Sequence, residues 1–283
     1  MNKNIKLGAV LIGLLVTTVS YQASDSYNDM VKKDTQQFRD FFSKKFPYVE
    51  MTDYANGVYA LDSASREQWE EIEEFPPYEL NVDNGESLFN TPFKNGKTYA
   101  DCFSNGGIGI AQNYPRYEEG AKEVMTIELA INRCRQSNGE KPLKYKGGAL
   151  ADISAYMHYT SRGNKLALTV DSKGAYAAYE AGKKFFYSKR GQLNFSCADC
   201  HMALAGQRLR ADITSPALGH TTGFPVYRSK WNALGTLHRR YGGCNKNVRA
   251  KPFKAQSTEY RELQYFQTLM NNGYELNGPS ARK

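Results

Sequence analysis

The chain repeats itself. In the second half Phe224-Pro225-Val226-Tyr227 precedes Cys244, and nineteen residues separate Pro225 from Cys244. In the first half Tyr114-Pro115-Arg116-Tyr117 precedes Cys134, and Pro115 is again nineteen residues away. Eight residues after each cysteine the same phrase returns, in Lys141-Pro142-Leu143-Lys144 and in Lys251-Pro252-Phe253-Lys254. Twenty-one residues beyond each of those prolines stands a glycine, Gly163 or Gly273. Between them Ala149, Ile153, Tyr156, Met157 and Tyr159 in one copy, and Tyr260, Leu263, Phe266, Leu269 and Met270 in the other, form apolar stripes at helical steps. A glycine past the last stripe residue is a natural helix stop. Upstream, Gly85-x-x-Leu88-Phe89 leads to Cys102 and Gly182-x-x-Phe185-Phe186 leads to Cys197. A register shared over this much chain predicts two tandem copies of one mainly helical unit.

The second copy carries Cys197-Ala198-Asp199-Cys200-His201, the spacing that attaches a c-type haem. Two thiols three apart add to the haem vinyl groups, and the following histidine becomes the proximal iron ligand. A zinc site is the rival, but structural zinc takes four ligands. The chain has only four histidines and no second paired-cysteine motif. In the first copy Cys102 answers Cys197, while Asn105 and Gly106 stand where Cys200 and His201 would be. The expected fold is therefore mainly α, two tandem cytochrome c-like domains of which the first has lost its haem. One covalent haem is expected per chain. The domains are drawn at residues 76–165 and 166–283, after an N-terminal extension over 24–75. That extension predicts helices at Gln36–Lys45 and Ser65–Glu74, with the acidic run Glu70–Glu74 as a solvated face and Phe75-Pro76-Pro77 as its end.

Residues 1–23 read as a cleaved signal peptide: Lys3 and Lys6, then a short apolar run from Leu7 to Val16, then small residues. The run is shorter than the roughly 20 apolar residues of a membrane span, and no membrane span is expected in the mature chain. Export to the periplasm agrees with the haem motif and with lasting disulfides. The net charge of +8 suits acidic partners or small anions. Its cations are scattered, without the aromatic platform of a single-strand binder, so no nucleic-acid partner is expected.

Five cysteines are present, and with Cys197 and Cys200 given to haem, Cys102, Cys134 and Cys244 remain. The repeat places Cys102 and Cys134 around the pocket that lost its haem, where a disulfide would replace the cofactor as a staple; two free thiols are the alternative. For the sixth iron ligand, His220, His238, Met270 and Cys244 all stand open. Cys244 follows Gly242 and Gly243, which permit close backbone approach. It also follows Arg239 and Arg240, which favour a thiolate or hold an anionic oxygen group.

The set Cys197-x-x-Cys200-His201, Arg240-x-x-x-Cys244 and the decayed first site resembles the SoxA family, the catalytic subunits of SoxAX cytochromes in bacterial sulfur oxidation. Leu209–Pro216 and Trp231-Asn232-Ala233-Leu234 carry the same resemblance, which spans most of the chain. It implies an L-cysteine S-thiosulfotransferase that joins thiosulfate to a cysteine of the carrier SoxYZ, with a SoxX subunit as partner and electrons leaving through haem. It further implies that His201 is the proximal ligand, that Cys244 is the distal ligand and sulfur-carrying catalytic residue, able to hold a persulfide, and that Arg240 binds substrate. Two alternatives are a thiosulfate dehydrogenase forming tetrathionate and a plain electron-transfer cytochrome c.

Overall fold

The computed structural model describes residues 8–209 and 212–282, with side chains from residue 27 onward. Eight α-helices are described: α1 (Gly8–Lys45), α2 (Ser63–Glu74), α3 (Glu79–Asn90), α4 (Ile127–Ser137), α5 (Ala149–Tyr159), α6 (Lys173–Tyr187), α7 (Leu237–Asn247) and α8 (Thr258–Met270). Short strands fill the connections: β1 (Arg116–Glu118) with β2 (Glu123–Met125), β3 (Arg208–Leu209) with β4 (Asp212–Ile213), and β5 (Val226–Arg228) between antiparallel β6 (Ala233–Gly235) and parallel β7 (Ser280–Arg282). The molecule is mainly helical. Among the described residues no helix is long and apolar enough to cross a membrane. The signal-peptide reading falls partly on residues 1–7, outside the described residues.

The two glycines that open the repeat mark two equivalent helix crossings. A methyl group on Gly85 of α3 would fall 2.0 Å from the Asp152 carbonyl oxygen of α5; one on Gly182 of α6 would fall 2.0 Å from the Glu262 carbonyl oxygen of α8. Only a residue without Cβ lets the backbones approach so closely. Tyr156 and Phe266 pack beside the two glycines at matching positions. Asp152 is buried and stays satisfied, because Asn81 and Asn84 donate to its two oxygens at 2.8 and 2.7 Å.

The halves join with near two-fold symmetry. Gly163 N–H donates to the Leu276 carbonyl at 2.9 Å, and its counterpart Gly273 N–H donates to the Leu166 carbonyl at 2.7 Å. Leu166 N–H to Tyr274 and Leu276 N–H to Asn164 complete the exchange. Each half also lends a hairpin to the other. The β1–β2 hairpin lies over α6 and α8, with Tyr117 against Gly174, and β6 packs on α5. Thr126, the N-cap of α4, donates to Gln256, and Thr236, the N-cap of α7, donates to the Tyr145 carbonyl, both at 2.8 Å across the join. One continuous apolar core therefore runs through both halves.

The extension differs from expectation in two places. The helix expected at Gln36–Lys45 is the end of the longer α1, because Phe38 and Phe42 insert into the core beside Phe186 and Phe266. The acidic run is not wholly a solvated face. Glu73 accepts from the Trp69 indole at 2.9 Å, the Ala281 amide at 2.7 Å and the Tyr78 hydroxyl, tying α2 to β7.

Candidate active site

Ser196 starts the site. Its hydroxyl accepts from the Asp199 amide at 3.0 Å, while the Asp199 carboxylate accepts from the Ser196 amide and hydroxyl at 2.8 and 2.9 Å. This reciprocal cap nucleates a helical turn, which continues as a π-turn over Asp199–Ala203 and carries Cys197, Cys200 and His201. At the matching place in the first half the chain does something else. Asn105 and Gly106 take left-handed φ values of 50° and 59°, so the turn breaks where the second cysteine and the histidine would sit. Cys102 is there joined to Cys134 in a disulfide, with Cα atoms 5.8 Å apart.

His201 is half-buried, and desolvation pushes its imidazole pKa down to about 4, so the ring is neutral at physiological pH. Its Nδ1 lies 2.9 Å from the Ser215 carbonyl oxygen. A neutral ring that donates Nδ1–H to a carbonyl presents the lone pair of Nε2, which is how a metal-ligating histidine is oriented. Cys197 and Cys200 are free thiols, both with pKa raised chiefly by burial, Cys197 to about 12. Cys244 on α7 adds to the rise at both thiols, so it belongs to the same electrostatic neighbourhood. Three free thiols and one oriented imidazole are a donor set that fits a c-type haem.

The other candidates for the distal position are committed elsewhere. His220 packs edge-on against His201, with ring centroids 4.2 Å apart. Its Nδ1 accepts from Gln267 at 3.1 Å and its Nε2 meets the Ser215 hydroxyl at 3.0 Å. Tyr241 in turn donates to the Gln267 carbonyl. A chain of hydrogen bonds thus runs from α7, three residues before Cys244, through Gln267, His220 and Ser215 to His201. His238 is buried, with Nδ1 accepting from the Gln256 amide at 2.9 Å. Met270 lies in the core face of α8. Ser215, Gln267 and Tyr241 were not selected from the sequence, since nothing in local spacing marks a residue that orients a ligand from another segment.

The two neighbouring arginines divide. Arg239 lies over the Trp231 ring, 4.3 Å from its centroid, and donates to the Leu234 carbonyl at 3.4 Å. Arg240 makes no salt bridge among the described residues, and its charge helps hold down the pKa of His201 and His220. Its charge therefore acts on the site's two histidines. Arg228 on β5 lies near both Arg240 and Cys244.

The SoxA/TsdA cytochrome c domain family matches residues 84–166, which is the half with the broken attachment turn. The L-cysteine S-thiosulfotransferase subunit SoxA of Chlorobaculum tepidum is 54% identical over 283 residues, covering 100% of this chain and 99% of that protein. The subunit of the same name from Allochromatium vinosum is 52% identical over 254 residues, covering 89% of this chain and 90% of that protein. The crystal structure of SoxXA from P. pantotrophus contains a chain that superposes with a TM-score of 0.70 at 28% identity, over 77% of this chain and 84% of that one. With identity this high along its whole length, the chain belongs to the SoxA family.

Proposed function

We propose that this chain is the catalytic subunit of a periplasmic L-cysteine S-thiosulfotransferase, in complex with a SoxX cytochrome and acting on the carrier SoxYZ. The observation that carries the reading is the turn that sets free Cys197 and Cys200 beside His201, whose Nδ1 lies 2.9 Å from the Ser215 carbonyl oxygen, with Cys244 acting electrostatically on the two thiols and Arg240 on the imidazole. Residues 76–165 form a haem-less cytochrome c domain stapled by Cys102 and Cys134, and residues 166–283 the haem domain. That the family match falls on residues 84–166 supports the ancestry of the first domain. Residues 1–23 are a signal peptide removed on export.

The reaction forms a sulfur–sulfur bond between thiosulfate and the carrier cysteine. The cysteine loses its thiol proton, and two electrons leave. Cys197 and Cys200 would hold one haem, with His201 and Cys244 as the residues that would ligate its iron, and that group would supply a place for the electrons to go. Arg240 supplies positive charge to a dianionic substrate and orients its sulfonate, which is catalysis by positioning and electrostatics. Cys244 is the sulfur nucleophile, as thiolate or persulfide, exchanging with the carrier in the manner of thiol–disulfide exchange. The hydrogen-bonded series Tyr241, Gln267, His220 and Ser215 keeps His201 in its ligating tautomer.

The test is conjugation of thiosulfate to SoxYZ, followed by intact mass, with and without Cys244→Ala. The adduct on the carrier is expected with the native chain and is absent with the variant. Tetrathionate formed at full rate without a carrier would instead make the chain a thiosulfate dehydrogenase.

A further inference from the structure

The positive charge of this chain is unevenly placed between its two halves. Residues 184–193 and 246–254 together contain seven lysines and arginines and no acidic residue. The fold brings these segments together. A methyl group on Gly191 would fall 2.0 Å from the Val248 carbonyl oxygen, and Leu193 N–H donates to that carbonyl at 3.3 Å. The contact lies one turn beyond Cys244, whose carbonyl accepts from Val248 N–H. Lys184, Lys189, Lys246, Arg249, Lys251 and Lys254 are all exposed, and none makes a salt bridge among the described residues. Between them Tyr187, Leu193, Phe195 and Phe253 expose apolar surface, from 37% to 46% of each residue.

The first half is an internal control, because it repeats the same frame. Its matching segments, 87–98 and 136–144, carry Lys94, Lys97, Lys141 and Lys144 but also Glu140, which pairs with Arg135 at 3.6 Å. The fold therefore does not require the unrelieved charge of the second half. Six like charges at one edge repel one another, and an exposed patch of this kind acts on approaching partners.

We propose that this basic face docks an acidic surface of the carrier protein, bringing its acceptor cysteine to Cys244. The proposal rests on the reaction above, because only a carrier thiol needs to reach that sulfur. The face suits a partner that leaves after each turnover. Transient interfaces are more polar than permanent ones, which resemble a core cut in half. Here a few aromatic side chains sit inside a charged rim, and complementary charge raises the rate of encounter.

The test uses the complete complex with its cytochrome partner. Two charge-reversed forms are made, Lys246→Glu/Lys251→Glu/Lys254→Glu on the face, and Lys94→Glu/Lys97→Glu/Lys144→Glu on the matching side of the first half. All six positions lie on loops or at a helix end. On the face, the KM for SoxYZ is expected to rise about tenfold or more at low salt. The KM for thiosulfate, the rate at saturating carrier and the haem spectrum stay as they are. The control form keeps the native KM, and raising salt weakens the native complex but not the face variant. An unchanged carrier KM in the face variant overturns the proposal. So does loss of the cytochrome partner on gel filtration with carrier KM unaffected, which would give the face to that subunit. Binding is also measured with SoxYZ whose acceptor cysteine is alkylated. Salt-dependent binding lost in the face variant, without thiosulfate conjugation by the native complex, would overturn the reaction and keep the docking face.

Discussion

The Nδ1 of His201 lies 2.9 Å from the carbonyl oxygen of Ser215. A ring that donates Nδ1–H to that carbonyl leaves the lone pair on Nε2. The Ser215 hydroxyl meets His220, and His220 is held by Gln267, so the orientation of His201 depends on α8 and on Tyr241 of α7. The helix that carries Cys244 thus also steadies the His201 ring.

One haem per mature chain is expected, held through Cys197 and Cys200. The first half breaks its attachment turn at Asn105 and Gly106 and closes Cys102 onto Cys134. Pyridine haemochrome measured against protein should give a ratio near one; a ratio near two would contradict it.

Cys244→Ala should retain covalent haem, because the attachment turn is untouched, yet change the optical and paramagnetic spectrum and abolish conjugation. Arg240→Ala should keep the spectrum and lose ~2–4 kcal/mol of transition-state stabilisation, as when a preorganised charge contact is removed. Steady-state kinetics in thiosulfate, beside the spectra, separate the two roles. An unaltered spectrum in Cys244→Ala would show that another residue ligates the iron.

Gly182→Ala should destabilise the second half strongly. The added methyl would stand 2.0 Å from the Glu262 carbonyl oxygen, so α6 and α8 must part. Overpacking of a tight core costs about 1–3 kcal/mol and more where backbone must move. Urea denaturation of holoprotein reads the loss, and Gly85→Ala should behave alike at Asp152.

Replacing Cys102 and Cys134 together by serine should lower stability by about 3–4 kcal/mol in the chain-entropy account, for a separation of 32 residues. The haem spectrum should not change, since the bond lies in the other half. Thermal unfolding under non-reducing conditions checks it, and a shifted haem spectrum would show that the halves are coupled through this staple.

Acid should weaken the fold through His238. Burial pushes its pKa down to about 3, whereas the unfolded side chain titrates near 6.5. Below about pH 6.5 the unfolded chain takes up a proton that the folded chain refuses until about pH 3, so stability falls as pH falls through that window. His238→Gln should flatten this part of the profile in denaturation midpoints measured between neutral and mildly acid pH. A profile parallel to the native one would remove His238 from the account.

Much of the architecture lies in local spacing. The phrases around Pro115 and Pro225 and the helical stripes ending at Gly163 and Gly273 can be counted along the chain, because periodicity and turn residues act over a few positions. The attachment turn and the pairing of Cys102 with Cys134 were legible for the same reason, once one copy was laid on the other. Tertiary structure decided what depends on distant segments. Arg239 and Arg240 are equivalent in sequence until Trp231 takes the first, while the second acts on His201 and His220. His220 and His238 stay candidates for the iron until Gln267 and Ser215 engage both nitrogens of His220 and the Gln256 amide donates to Nδ1 of His238, which leaves that ring's proton on Nε2. Glu73 belongs to an acidic run until Ala281, 208 residues away, donates to it. The basic face exists only because Gly191 lets its loop settle on Val248. Hydrogen bonds and close approach depend on position in space, and residues far apart in the chain leave no local spacing from which that position can be read.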